Sequence, residues 1–104
     1  MVAEYVVEAG HRTIRFTTTP DVVDTVTFEA NVGAIEVYSD GAADVWFTVN
    51  GGTPSVPADG VSTEASLLPA GGPAVDNQSA RQATAALVVQ VVSPGAAQVA
   101  VRVP

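Results

Sequence analysis

Apolar and polar side chains alternate with a period of two residues through most of this chain. Residues 24–30 place Val26, Phe28 and Ala30 on one side and Thr25, Thr27 and Glu29 on the other, the pattern of a half-buried strand. Residues 34–39 set Ile35 and Val37 against Glu36 and Tyr38, and residues 45–49 set Val45, Phe47 and Val49 against Trp46 and Thr48. Near the end, Val99, Val101 and Val103 alternate with Gln98, Ala100 and Arg102. Residues 2–9 form a further candidate strand before a turn at Ala9-Gly10; in residues 12–17, Arg12, Ile14 and Phe16 share one face and Thr13, Arg15 and Thr17 the other. Residues 84–92 are apolar on both faces, as a strand covered twice must be.

Turn chemistry separates these runs. Asp40-Gly41 lies in a short connection between two alternating segments, and glycine supplies the positive φ that tight hairpins need, so residues 34–49 are expected to form a β-hairpin. Ser93-Pro94-Gly95 turns the chain again. Residues 53–83 are rich in proline and glycine and are expected to be a loop-rich insertion holding one short strand that ends at Leu67-Leu68, with residues 53–62 and 69–79 as loops. No helical period is sustained. The expectation is an all-β fold: a single-domain antiparallel β-sandwich of about seven or eight short strands spanning residues 1–104, with residues 1–20 an N-terminal arm or extra strands. A small β-barrel is the alternative closure, because the pattern does not separate stacking from closure.

Composition agrees. Twenty valines stand against three leucines and two isoleucines, and β-branched side chains suit pleated sheets better than helices. At 104 residues the chain can bury a core without staples, and it has no cysteine to supply one. Eleven acids against four arginines and no lysine give a net charge of −7, which repels phosphate backbones and anionic membranes, so neither nucleic acid nor membrane is an expected partner. The opening residues lack a basic segment followed by a long apolar one, so the chain is expected to carry no signal peptide.

Catalytic chemistry is hard to assemble. His11 is the only histidine and no G-x-S-x-G elbow accompanies it, so a Ser-His-Asp triad has no support. One histidine and no cysteine leave no tetrahedral zinc set. Asp40 with Asp44 and Asp59 with Glu64 offer oxygen ligands without EF-hand spacing, and aspartate before glycine is turn chemistry. Asp21 and Asp24 are close in sequence with nothing to place a substrate between them. The expectation is a non-enzyme with no cofactor and no metal.

Contacts are a better prospect. The chain has six aromatics, and Trp46 lies on the strand face opposite the core, with Tyr38 across the expected hairpin. Large aromatics on an outer face anchor interfaces; alternatively, the proline-rich loop folds back and covers Trp46. Arg12 and Arg15 form a basic pair. Trp46, Tyr38, Arg12 and Arg15 are therefore the candidate protein-contact residues.

Several segments taken in order resemble a group of small virion proteins of tailed bacteriophages. They are residues 24–27 (D-T-V-T), 35–37 (I-E-V), Asp40-Gly41, residues 47–51 (F-T-V-N-G), 53–56 (T-P-S-V), 68–70 (L-P-A) and the two closing valine strands in 87–103. Residues 1–20 fall outside the match. The resemblance implies a structural virion protein, a capsid decoration (cement) protein on the outer surface of the head, made in the host cytoplasm. Its partners would be the major capsid protein and itself, with a trimer the favoured homo-oligomer. A head-tail connector or tail-associated protein is the alternative, and a carbohydrate- or receptor-binding module a second one.

Overall fold

A computed structural model of the chain describes residues 3–7, 13–28, 34–50, 52–62, 65–79 and 87–102. Among them are nine strands and no helix: β1 (Ala3–Val7), β2 (Thr13–Thr17), β3 (Asp24–Phe28), β4 (Ala34–Ser39), β5 (Val45–Val49), β6 (Ser66–Leu68), β7 (Ala74–Ser79), β8 (Leu87–Val92) and β9 (Gln98–Arg102). They form a five-stranded sheet in the order β1-β3-β8-β5-β6 and a four-stranded sheet in the order β2-β9-β4-β7. The all-β sandwich expected from the alternation is present. Its pairings are antiparallel except for β1, which runs parallel to β3.

The core is what the period-2 pattern requires. Phe28, Phe47, Ile35, Leu87 and the valines at 26, 37, 45, 89, 91, 99 and 101 are fully buried between the sheets. Each such valine contributes roughly 1.5–3 kcal/mol relative to an exposed one. β8 lies in the middle of its sheet, between β3 and β5, and carries apolar side chains on both faces, as expected from residues 84–92.

The path of the chain differs from a meander. Apart from β5 to β6, each step from one strand to the next passes from one sheet to the other. The expected hairpin of residues 34–49 is therefore not a hairpin. β4 pairs with β7 and β9 while β5 pairs with β6 and β8, so the Asp40-Gly41 turn is an arch between the sheets. Glycine chemistry reverses the chain; whether the two arms then pair is decided by their other neighbours. Here the Asp40 N–H donates to the Gln98 carbonyl at 3.0 Å and the Gly71 N–H donates to the Gly41 carbonyl at 2.9 Å. Asp44 Oδ1 accepts from the Ala70 N–H at 2.8 Å. Gly41 has φ +83°, and the backbone of Gly72 occupies the space a Cβ would need. The Asp-Gly and Leu-Pro-Ala-Gly-Gly segments are thus one interlocked structure, although about thirty residues apart.

A further correction concerns residues 69–79. Residues 74–79, expected to be loop, pair with β4 over six positions as an edge strand, because cross-strand partners outweigh the poor intrinsic propensity of Asp, Asn and Gln. The turn expected at Ser93-Pro94-Gly95 is present, and it too is an arch, from β8 to β9. Ser93 Oγ donates to the Asp44 carbonyl at 2.6 Å, and buried Thr18 both donates to the Gly95 carbonyl and accepts from the Ala97 N–H. The Ala9-Gly10 turn lies outside the described residues.

Candidate binding surface

The sandwich has two outer faces, and they differ. On the five-stranded sheet, Trp46 sits between Val92 of β8 and Leu67 of β6. Trp46 is 6% exposed within a single copy of the chain, and Val92 and Thr48 are also buried. The Thr48 hydroxyl donates to the Gly52 carbonyl at 2.6 Å. That bond draws the chain after β5 back on itself, and Pro54 beyond it is buried among exposed neighbours. Asn50, at φ +52°, makes the reversal: its N–H donates to the Val88 carbonyl and its Oδ1 accepts from the Val88 N–H, both at 2.7 Å. Trp46 is covered by its own chain. It is withdrawn as a contact residue, and Tyr38 does not share its face, because β4 belongs to the other sheet.

On the four-stranded sheet the outer face is open. Strand register builds it in rows: Thr13, Arg102, Glu36 and Asn77 across one row, and Arg15, Ala100, Tyr38 and Val75 across the next. Ala100 is the small member of its row, and its short side chain leaves a depression between Arg15 and Tyr38. A groove of about 350 Å3 results, lined by Thr13, Arg15, Glu36, Tyr38, Val75, Ala100 and Arg102. Val75 is 55% exposed at its edge.

Arg102 grips Glu36 with a forked contact, Nη2 to Oε1 at 2.9 Å and to Oε2 at 3.2 Å, and Nε to Oε1 at 3.2 Å. Hydrogen bonding to Glu36, and then its negative charge, push the Arg102 guanidinium still further up from its ordinary value. An exposed pair of this kind adds little stability. Its effect is to fix both side chains on the groove rim. Of the expected contact residues, Arg15 and Tyr38 meet here across Ala100, and Arg12 lies outside the described residues.

Of the acids with oxygen ligands to offer a cation, Asp40 and Asp59 are turn formers, and Glu64 lies outside the described residues. Asp40 Oδ1 accepts from the Ala42 N–H and Asp59 Oδ1 from the Val61 N–H, each at 3.0 Å, while the Asp44 carboxylate is engaged by the Ala70 N–H. Among the described residues no group of three potential metal ligands converges. Asp24 is the unexpected acid. It faces inward at the start of β3 with 3% exposure, its Oδ2 has no hydrogen-bond partner, and burial raises its pKa above the ordinary carboxylate value. Its place in register with Val26 and Phe28 was the only sequence signal for that burial.

No family model and no curated protein matches the chain. Among solved structures it is similar to CBM_E1, a carbohydrate-binding module found by sugar cane soil metagenome and solved with cellopentaose and gadolinium, with TM-score 0.58 and 10% identity over 100% of this chain and 94% of the other. CorA, a surface-associated copper-binding protein of Methylomicrobium album BG8, gives TM-score 0.58 and 7% identity with both chains fully covered. PliG of Aeromonas hydrophila, a periplasmic inhibitor of g-type lysozyme, gives 0.52 and 15%, again with full coverage. All three are named for binding or inhibition and none for a reaction. At such identities the likeness is one of fold: a β-sandwich of this kind carries many unrelated functions.

Proposed function

We propose that the protein is a structural, non-enzymatic component of a tailed-phage virion, a decoration protein on the outside of the head. The observation that carries this reading is the ordered series of segments from residue 24 to residue 103. Its Asp40-Gly41 and Leu68-Pro69-Ala70 members, distant in sequence, lie beside each other at one interlocked arch, which is compatible with their recurring together. The charge of −7 suits a surface away from packaged DNA. Attachment would work by burying area across capsid subunits, which favours the assembled state by mass action and needs no active site.

Quantitative mass spectrometry of purified particles tests this reading. Decoration predicts hundreds of copies per head, and rebinding of added protein to particles stripped of it. A ring-forming connector would give roughly a dozen copies, and absence from particles would end the virion reading altogether.

One observation favours a second reading, a carbohydrate-binding module. Tyr38 stands over the Ala100 floor of an open groove with polar side chains around it. Saturable binding of a neutral oligosaccharide, perturbing Tyr38 and Ala100, would support it.

A further inference from the structure

The groove on the four-stranded sheet is chemically one-sided. The chain carries eleven acids and four arginines, yet two of those arginines, Arg15 and Arg102, line this one depression. The groove's single acid, Glu36, is taken up by Arg102. Arg15 is exposed and has no hydrogen-bond or ion-pair partner among the described residues. The side chain of Arg102 remains 56% exposed, and its bonds to Glu36 use Nε and Nη2 and not Nη1. Thr13 and Tyr38 add two hydroxyl groups, and Ala100 and Val75 an apolar floor and wall.

We propose that this groove is a carboxylate-binding site. Arg15 is the primary donor, because a planar guanidinium presents paired N–H groups that match the two oxygens of a carboxylate. Glu36 holds Arg102 in place and prevents it from collapsing onto the ligand's position. About 350 Å3 is more than a carboxylate fills. The ligand is therefore an acid with a body, such as the side chain and backbone of a glutamate or the ring of an acidic sugar, lying on Ala100 beside Tyr38. The proposal is independent of the virion reading, since either can fail alone.

The experiment is an NMR titration of the isotopically labelled protein with matched probes. N-acetyl-glutamate α-amide is compared with N-acetyl-glutamine α-amide, and glucuronate with glucose. The expected result is saturable movement of the Arg15 Nε–H and Ala100 amide signals with an acid and not with its neutral counterpart, with a Kd in about the millimolar range. The acid that binds more tightly identifies the source. Arg15→Gln should weaken binding about 10-fold or more, as loss of a charge-assisted pair does, while Arg15→Lys retains part of it; an unchanged amide spectrum shows that each variant is folded. Equal binding of acid and neutral probes, no saturation, or undiminished binding to Arg15→Gln overturns the proposal.

Discussion

The two outer faces of the sandwich start from the same kind of strand and end in opposite states. β5 carries Trp46 and Thr48 away from the core, and β4 carries Glu36 and Tyr38 away from it. On the first face Thr48 ties the following loop back at Gly52 and the tryptophan disappears from solvent. On the second no described loop crosses, Ala100 leaves a hollow, and charged side chains rim it. The difference teaches that strand alternation assigns a side chain to a face but not to solvent. Exposure depends on what else of the chain lies over the face, and here it leaves Trp46 buried on one face and a groove open on the other.

Trp46→Ala strikes the closed face hardest. It should cost about 3–5 kcal/mol in denaturant unfolding, as large-to-small changes of buried aromatics do, and leave carboxylate binding in the open groove intact. Gly41→Ala comes next, because both its φ of +83° and the nearby Gly72 backbone forbid a side chain. A loss of about 1–3 kcal/mol is expected from the strained backbone, and hydrogen exchange should rise at Gly71 and Ala70, whose N–H groups hold the arch closed.

Asp24→Asn should act in the opposite direction at neutral pH. The folded pKa of Asp24 is raised by burial above 3.8, so the folded state binds more protons than the unfolded one between these two values. Stability is therefore fully supported below the unfolded pKa and falls as pH rises through the folded pKa. The variant cannot ionise, and its thermal stability relative to the parent should increase from acid to neutral pH.

Thr48→Val sharpens the comparison further. It should cost about 1 kcal/mol, the worth of one hydrogen bond, and expose the loop after Gly52 to limited proteolysis before the rest of the chain. Arg15→Gln is the smallest in stability, within about 0.5 kcal/mol as for most surface changes. Its effect belongs entirely to ligand binding, and that separation marks the open face as functional surface.

Much of the fold was legible because apolar side chains recur at every second residue on the inward side of the strands. The inward sets Val26 with Phe28, Ile35 with Val37, Val45 with Phe47, and Val99 with Val101 all face the core. The connectivity was not legible at Asp40-Gly41, where the same dipeptide serves a hairpin or an arch and the choice rests on Gln98, Ala70 and Gly71, all distant in sequence. β7 was hidden because Asp76, Asn77 and Gln78 are held by pairing with β4 and not by propensity. For the groove, Arg15 and Tyr38 stood out individually, but only the β2-β9-β4 register places them on either side of Ala100. Arg102 and Glu36 gave no separate signal, since each is an ordinary outward residue of its strand.

The contrast between the faces turns on Trp46 being enclosed by its own chain, and as the only tryptophan it reports on itself. Acrylamide quenching of its fluorescence in dilute, monomeric protein tests that most directly. Blue-shifted emission and weak quenching that do not change with protein concentration are the predicted result. Quenching close to that of a free indole, relieved only when the protein is concentrated or bound to a partner, would show that the cover comes from another molecule and would contradict enclosure by the chain itself.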